Sequence, residues 1–269
     1  MIKLSECTFC TAVHLLFLLH RKLQIGLVSH VAGIIGGDGS SSDGRVVGMA
    51  PECSLVGVRV LDGKTQGSIR DMIAGIRWVL QMKDRYRIRV VNISVGSLIP
   101  KGMREDSALV KAVDALWDAG LIVCVAAGNR GNQPMSITTP GISRKVITVG
   151  SCDDMEQVDV MGSKIVHYSG RGPTRNCIMK PELVANGYQV MSCNAMNSKS
   201  PHPYCCKSGT SMATAQISGA IALLLSKQPK MSNVEIKLRI RECCHNLGVS
   251  PAYQGWGMLD LSRFVGRNG

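Results

Sequence analysis

The chain has 269 residues, is 45% hydrophobic and carries no long polar tract. That composition excludes an intrinsically disordered chain and provides one sizeable core. The formal net charge is +12, but Lys and Arg are scattered and only 4% of residues are aromatic. Base stacking has few platforms here, so a solvated basic surface is expected and no nucleic-acid partner.

Residues 12–19 read AVHLLFLL after Lys3, which raises a signal peptide. The run is short, holds His14, follows Glu6 and lacks an A-x-A site. A bilayer span needs about 20 apolar residues, so no membrane span is expected. Cys7, Cys10, His14 and His20 are spaced C-x2-C-x3-H-x5-H. The second pair lies too close to the first for a usual zinc finger, and chance is the better reading. The chain has 11 cysteines, an odd count, with Cys205-Cys206 and Cys243-Cys244 adjacent. This is not a usual disulfide framework and favours a reducing compartment, the cytoplasm ahead of secretion; the location is otherwise open. Cys53, Cys124, Cys152 and Cys177 lie in or beside apolar segments and read as small buried hydrophobes.

From about residue 48 the pattern alternates strand and helix. SLVGVRVL (54–61) predicts a strand buried on both faces. Ser68 is placed to cap a helix with Ile69, Met72, Ile73, Ile76 and Leu80 along one face. IRVVNISVGS (88–97) is the next strand. Ser107 caps a helix that ends at Gly120, where a positive φ costs glycine little. LIVCVAAGN (121–129) and KVITVGS (145–151) are further strands. Residues 155–207 are loop-rich, and helices follow from about 211 to 226 and from Ser232, whose spacing to Glu235 is that of a capping box. No linker divides the chain, and the alternation predicts one domain with a parallel sheet covered on both faces.

Two nucleotide readings fail on spacing. GVRVLDGKT puts five residues between Gly57 and Gly63, one too many for a phosphate loop, and GIIGGDG (33–39) is not G-x-G-x-x-G. SGTSMATAQISG (208–219) is more informative. Gly209 permits a sharp turn, and Ser211 then stands where an apolar helix begins. The helix dipole favours negative charge there, and the Ser211 N–H can serve a developing oxyanion. The bland reading of Ser211 is a plain helix cap. Other segments shift that balance. AAGNRGN (126–132) ends a strand with Asn129, whose amide can donate a second hydrogen bond. NISVGS (92–97) ends another with Ser94, Val95 and Gly96, whose backbone can pair with an extended peptide. In open parallel sheets, ligands gather at such strand ends.

These segments resemble the subtilisin-like serine proteases. GTSMAT around Ser211 is similar to their nucleophile motif, AAGN (126–129) to their oxyanion-asparagine segment, VVNISVGS to their substrate-pairing strand and SHVAGIIGG (29–37) to the end of their histidine motif. GMAPECSL (48–55), SGRGPT (169–174), KPELVANG (180–187) and GWGMLD (255–260) match in the same order. The resemblance implies that Ser211 is the nucleophile, that Asn129 is the oxyanion donor and that Ser94, Val95 and Gly96 line a peptide groove. It implies a peptide or protein substrate and a monomer. A structural calcium ion is common in the family, but no carboxylate cluster marks one, and no cofactor is expected.

Departures from the pattern are concentrated at the N-terminal side. The family reads His-Gly-Thr/Ser-His-Val-Ala-Gly, and its first His is the general base. Here the stretch is Leu27-Val28-Ser29-His30-Val31-Ala32-Gly33, so Leu27 holds the base position and His30 matches the second His. The family also carries an Asp on an earlier strand, whereas before residue 38 the only acid is Glu6. Ala215 and Asn186 replace usual prolines. Along a helix His30 would sit about 4.5 Å beyond Leu27, too far for a base. His14 and His20 offer no better rescue.

The expected fold is therefore α/β, a mostly parallel sheet with helices on both faces, subtilisin-like, with the Asp-bearing strand missing or replaced. Residues 1–28 are unmatched, 29–264 form the peptidase-like domain and 265–269 are a tail. Residues 11–19 fill the strand slot or pack as a loose helix, and the helix is favoured. Activity is expected to be lost or severely impaired. Alternatives are a non-catalytic peptide binder, or a displaced start that leaves this chain as part of a longer active protease.

Overall fold

The computed structural model describes residues 15–18, 25–58, 60, 69–96, 106–131, 133–153, 155–160, 163–195 and 202–266. In chain order, β1 (Leu15–Leu18) leads to α1 (Ile25–Gly36), β2 (Leu55–Val58), α2 (Ile69–Met82), β3 (Val90–Ile93), α3 (Ala108–Asp118), β4 (Ile122–Ala126) and β5 (Ile147–Ser151). The short strands β6 (Val158–Val160) and β7 (Ser163–Ile165) precede β8 (Leu183–Ala185), β9 (Val190–Cys193) and β10 (Tyr204–Lys207). The chain continues through α4 (Thr210–Lys227), α5 (Asn233–Cys243), β11 (Cys244–His245), α6 (Pro251–Gln254), β12 (Met258–Leu259) and α7 (Leu261–Val265).

The main sheet runs β11-β12-β8-β5-β4-β3. It is parallel from β12 to β3, and only β11 and β12 pair antiparallel. Strand alternation explains the two layers of helix. In β4, Ile122 and Cys124 enter a core shared with α1, α4, α5 and α7, while Val123 and Val125 enter a core shared with α2 and α3. Both faces are thus apolar and covered, the condition for a parallel sheet.

Helix ends follow the local signals. The Ser107 side chain accepts from the Val110 N–H at the start of α3, and Gly120 takes φ 84 just past its end. Ser232 and Glu235 cap α5 reciprocally. Among the described residues no helix is long and apolar enough to cross a membrane.

The favoured helix at the N-terminal side is corrected. Leu15–Leu18 form a strand, parallel to β2 in the register Leu15↔Leu55 to Leu18↔Val58, and this strand also lies against β3. The reason is main-chain satisfaction. β2 and the outer edge of β3 present N–H and C=O groups that a helix could not pair. The Ser68 cap and the cysteine and histidine spacing at 7–20 lie outside the described residues. Cys124 is buried, and burial pushes its thiol up to about 12. Cys53 and Cys152 are only half-buried. Cys177 is exposed at φ 56 in a turn closed by its N–H to Thr174 O, not the small buried hydrophobe expected.

One buried charge cluster joins three segments. Lys180 Nζ is fully buried and donates to Glu182 at 2.6 Å and 2.7 Å, to Val146 O at 3.1 Å and to Thr148 Oγ1 at 3.1 Å. Lys237 Nζ, from α5, donates to Glu182 Oε1 at 3.0 Å. Burial lowers Lys180 to about 8 against the pull of Glu182.

Candidate functional site

The carboxyl ends of β3 and β4 meet the amino end of α4. Gly209 precedes α4 at φ 142, ψ 160, a backbone that side chains rarely adopt. Its N–H donates to Gly187 O at 2.7 Å, and its carbonyl accepts from Met212 N at 3.0 Å. This turn delivers Thr210 and Ser211 into the first turn of an 18-residue helix with no acid near its start. The partial positive end of α4 therefore faces the Ser211 hydroxyl.

Asn129 reaches the same turn from the end of β4. Its Oδ1 accepts from Thr210 N at 2.9 Å and from Thr210 Oγ1 at 2.8 Å. Thr210 Oγ1 in turn accepts from Gly128 N at 3.2 Å. With Oδ1 occupied, the amide's orientation is fixed, and Nδ2 lies 2.9 Å from where a Cβ on Gly209 would sit. Ser94, at the end of β3, closes the group. Ser211 Oγ donates to Ser94 O at 3.1 Å. Ser94 Oγ accepts from Asn92 Nδ2 at 2.9 Å, and Ser218 of α4 donates to Asn92 Oδ1 at 3.0 Å. Val95 packs toward the α2/α3 core, and Gly96 lies against Thr138. Ser211, Asn129 and Ser94 to Gly96 thus converge at one end of the sheet.

The α1 side is different in kind. Leu27 is half-buried and packs against the core that α4 shares. His30 is fully buried, and its Nε2 donates to Val190 O at 2.9 Å and Cys205 O at 3.1 Å. Those carbonyls belong to the antiparallel β9–β10 pair. Ser192 Oγ donates back to His30 O at 2.8 Å. Burial lowers His30 to about 4 against the effect of both carbonyls. The imidazole is neutral near pH 7 and fastens α1 to the hairpin. His14 and His20 lie outside the described residues.

Sequence reasoning missed Thr210, which joins Asn129 to the α4 turn, although it sits inside the GTSMAT motif. It also missed Asp153. That carboxylate accepts from Ser151 Oγ at 2.6 Å, Gly187 N at 2.8 Å and Tyr188 N at 2.9 Å, and so supports the loop on which Gly209 hangs. No short-range signal marks it. Among the described residues no group of three or more His, Cys, Asp or Glu is arranged to hold a metal ion.

Comparison with known proteins agrees with this geometry. The subtilase family model matches residues 29–257. The serine protease AprX of Bacillus subtilis (strain 168) is 37% identical over 222 residues, covering 78% of this chain and 50% of its own. Subtilisin DY of Bacillus licheniformis is 31% identical over 235 residues, covering 87% and 75%. A thermostable alkaline protease of Halalkalibacterium halodurans is 32% identical, covering 87% and 56%. This chain spans about half the length of several curated relatives it matches. Among solved structures, the S41 psychrophilic protease superposes with TM-score 0.73 at 24% identity over 93% of this chain and 92% of its own, and so shares the fold. Sphericase superposes with TM-score 0.70 at 26% identity, covering 87% and 77%. By motif, by fold and by descent, the chain belongs to the subtilase family, the subtilisin-like serine proteases.

Proposed function

We propose that this chain is a subtilisin-like endopeptidase domain in which Ser211 is the nucleophile and Asn129 the oxyanion donor. In this reading Ser94, Val95 and Gly96 pair with an extended peptide, and hydrolysis by the chain as it stands is lost or severely impaired. Peptide cleavage needs Ser211 Oγ to attack the scissile carbonyl while a base takes its proton. The tetrahedral oxyanion would lie between Asn129 Nδ2 and the Ser211 N–H, at the positive end of α4. One observation carries the second half of the proposal. The Ser211 hydroxyl spends its proton on the carbonyl of Ser94, and a carbonyl is no base.

Leu27 has no lone pair to offer, and His30 is committed to Val190 and Cys205. The retained donors would support at most about 10³–10⁴-fold acceleration over water, a figure taken from serine proteases whose triad has been removed. The same geometry supports a second reading, a relative that holds peptides in the groove without turnover.

A serine-directed fluorophosphonate separates the outcomes. The expected result is slow labelling at Ser211, abolished by Ser211→Ala, with no turnover of a peptide ester. Fast labelling with ester turnover would restore a working protease. Peptide binding without turnover, weakened by a side chain at Gly96, would favour the binding protein.

A further inference from the structure

The gap between the two strand ends beside Ser211 is already filled. A Cβ on Gly96 would lie 2.7 Å from Thr138 Oγ1 and 3.1 Å from Thr138 Cβ. A Cβ on Gly128 would lie 2.5 Å from Thr138 Cγ2 and 2.8 Å from its Oγ1. One threonine therefore touches both backbones, and only glycine on each side lets it enter. Thr138 is held in place by its own bonds: its N–H donates to Ala127 O at 3.0 Å and its hydroxyl to the same carbonyl at 3.3 Å. Thr138 is buried, with a residual exposure of 8%. The carbonyl of Thr139 stands beside it, 2.7 Å from the Gly96 Cβ position.

We infer that Thr138 is a specificity-determining residue that restricts the peptide residue presenting its carbonyl to Ser211 to glycine, alanine or serine. This rests on Ser211 as the nucleophile and on peptide pairing along Ser94 to Gly96. A strand added there sends alternate side chains to opposite faces. The residue whose carbonyl faces Ser211 lies between Ser94 and Asn129, so its inward side chain enters the gap between 94–96 and 127–129. A methyl group fits above Thr138. A benzyl group meets Cγ2 and Oγ1, which cannot retreat because the glycine backbones stand against them. A wrongly sized side chain in a tight pocket costs about 10- to 200-fold in the rate constant.

The test uses three phosphonofluoridates on the full chain, each forming a bond from Ser211 Oγ to phosphorus and expelling fluoride. One has no recognition side chain, and two are tripeptidyl probes with methyl or benzyl at the reacting residue. Labelling is read by intact mass. The benzyl probe is expected to react at least about tenfold slower than the methyl probe, and Thr138→Gly is expected to close that ratio. Thr138→Val keeps the volume without the hydroxyl and should keep the preference. Thr138→Ala should fall between, and it carries the comparison if the glycine variant melts early. Equal methyl and benzyl rates in the unmodified protein, or a ratio unmoved by Thr138→Gly, would overturn the inference while labelling by the plain probe leaves Ser211 as nucleophile. Failure of the plain probe to modify Ser211 in any variant would remove the nucleophile assignment, and the specificity assignment with it.

Discussion

On the β4–α4 side of Ser211, hydrogen bonds converge on the turn that opens α4: Asn129 Oδ1 takes two from Thr210, Gly187 takes one from Gly209, and Asp153 takes two from the loop beneath. On the α1 side, the corresponding positions serve packing. Leu27 adds apolar contact to the core, and His30 pins α1 to β9–β10. The difference separates two requirements that an active hydrolase meets together. Holding the charge of a transition state depends on fixed main-chain donors, and those also stabilise the fold. Moving a proton depends on one side chain in one place, and the fold survives without it. On the proposed function, the oxyanion frame is kept for structural reasons even where proton transfer is lost.

Placing a base at position 27 is the most direct way to break this comparison. Leu27→His is expected to raise peptide-ester turnover by about 10- to 100-fold, the interval separating subtilisin without its acid from subtilisin without its triad, a figure from that relative. No gain would mean that position 27 does not face Ser211. Damage to the retained half should be felt in stability as well as reactivity. Gly209→Ala forces a side chain into a glycine-only backbone region and onto Asn129 Nδ2. A loss of about 1–3 kcal/mol in urea unfolding is expected, with slower labelling of Ser211. Asn129→Ala removes the acceptor for Thr210 N and Oγ1 and should cost about 1–2 kcal/mol. Unchanged stability would show that the amide is not needed to hold the turn.

The smallest expected effect concerns pH. Buried His30 titrates at about 4, against 6.5 for an ordinary histidine. Between those values the unfolded chain binds the extra proton, so the stability His30 contributes is present above pH 6.5 and declines as pH falls toward 4. The melting temperature should drop over that window, and His30→Gln should flatten the drop. A curve unaffected by the substitution would release His30 from the hairpin.

Much of this arrangement was legible in the chain itself. Ser107, Gly120 and the Ser232–Glu235 pair act through neighbours in sequence, and their caps are as read. Asn129 and Ser94 stand where an apolar strand stops, and Ser211 stands where an apolar helix begins. The residues that escaped act over distance. Leu15–Leu18 is a short apolar run, and periodicity cannot tell a strand from a helix turn at that length. Thr138 gains its role only when Gly96 and Gly128 close around it. Lys180 reads as a surface charge until Val146, Thr148 and Glu182 enclose it.

That enclosed ammonium has a consequence for assembly. Glu182 answers two lysines, one from its own strand region and one from α5. Neither lysine can give up its water at low cost until the carboxylate is seated. The docking of α5 is thereby conditional on β8, and amide exchange in Asn233–Cys243 should open in step with exchange in Leu183–Ala185. On that expectation the C-terminal third of the domain opens as one piece, with Glu182 at the joint.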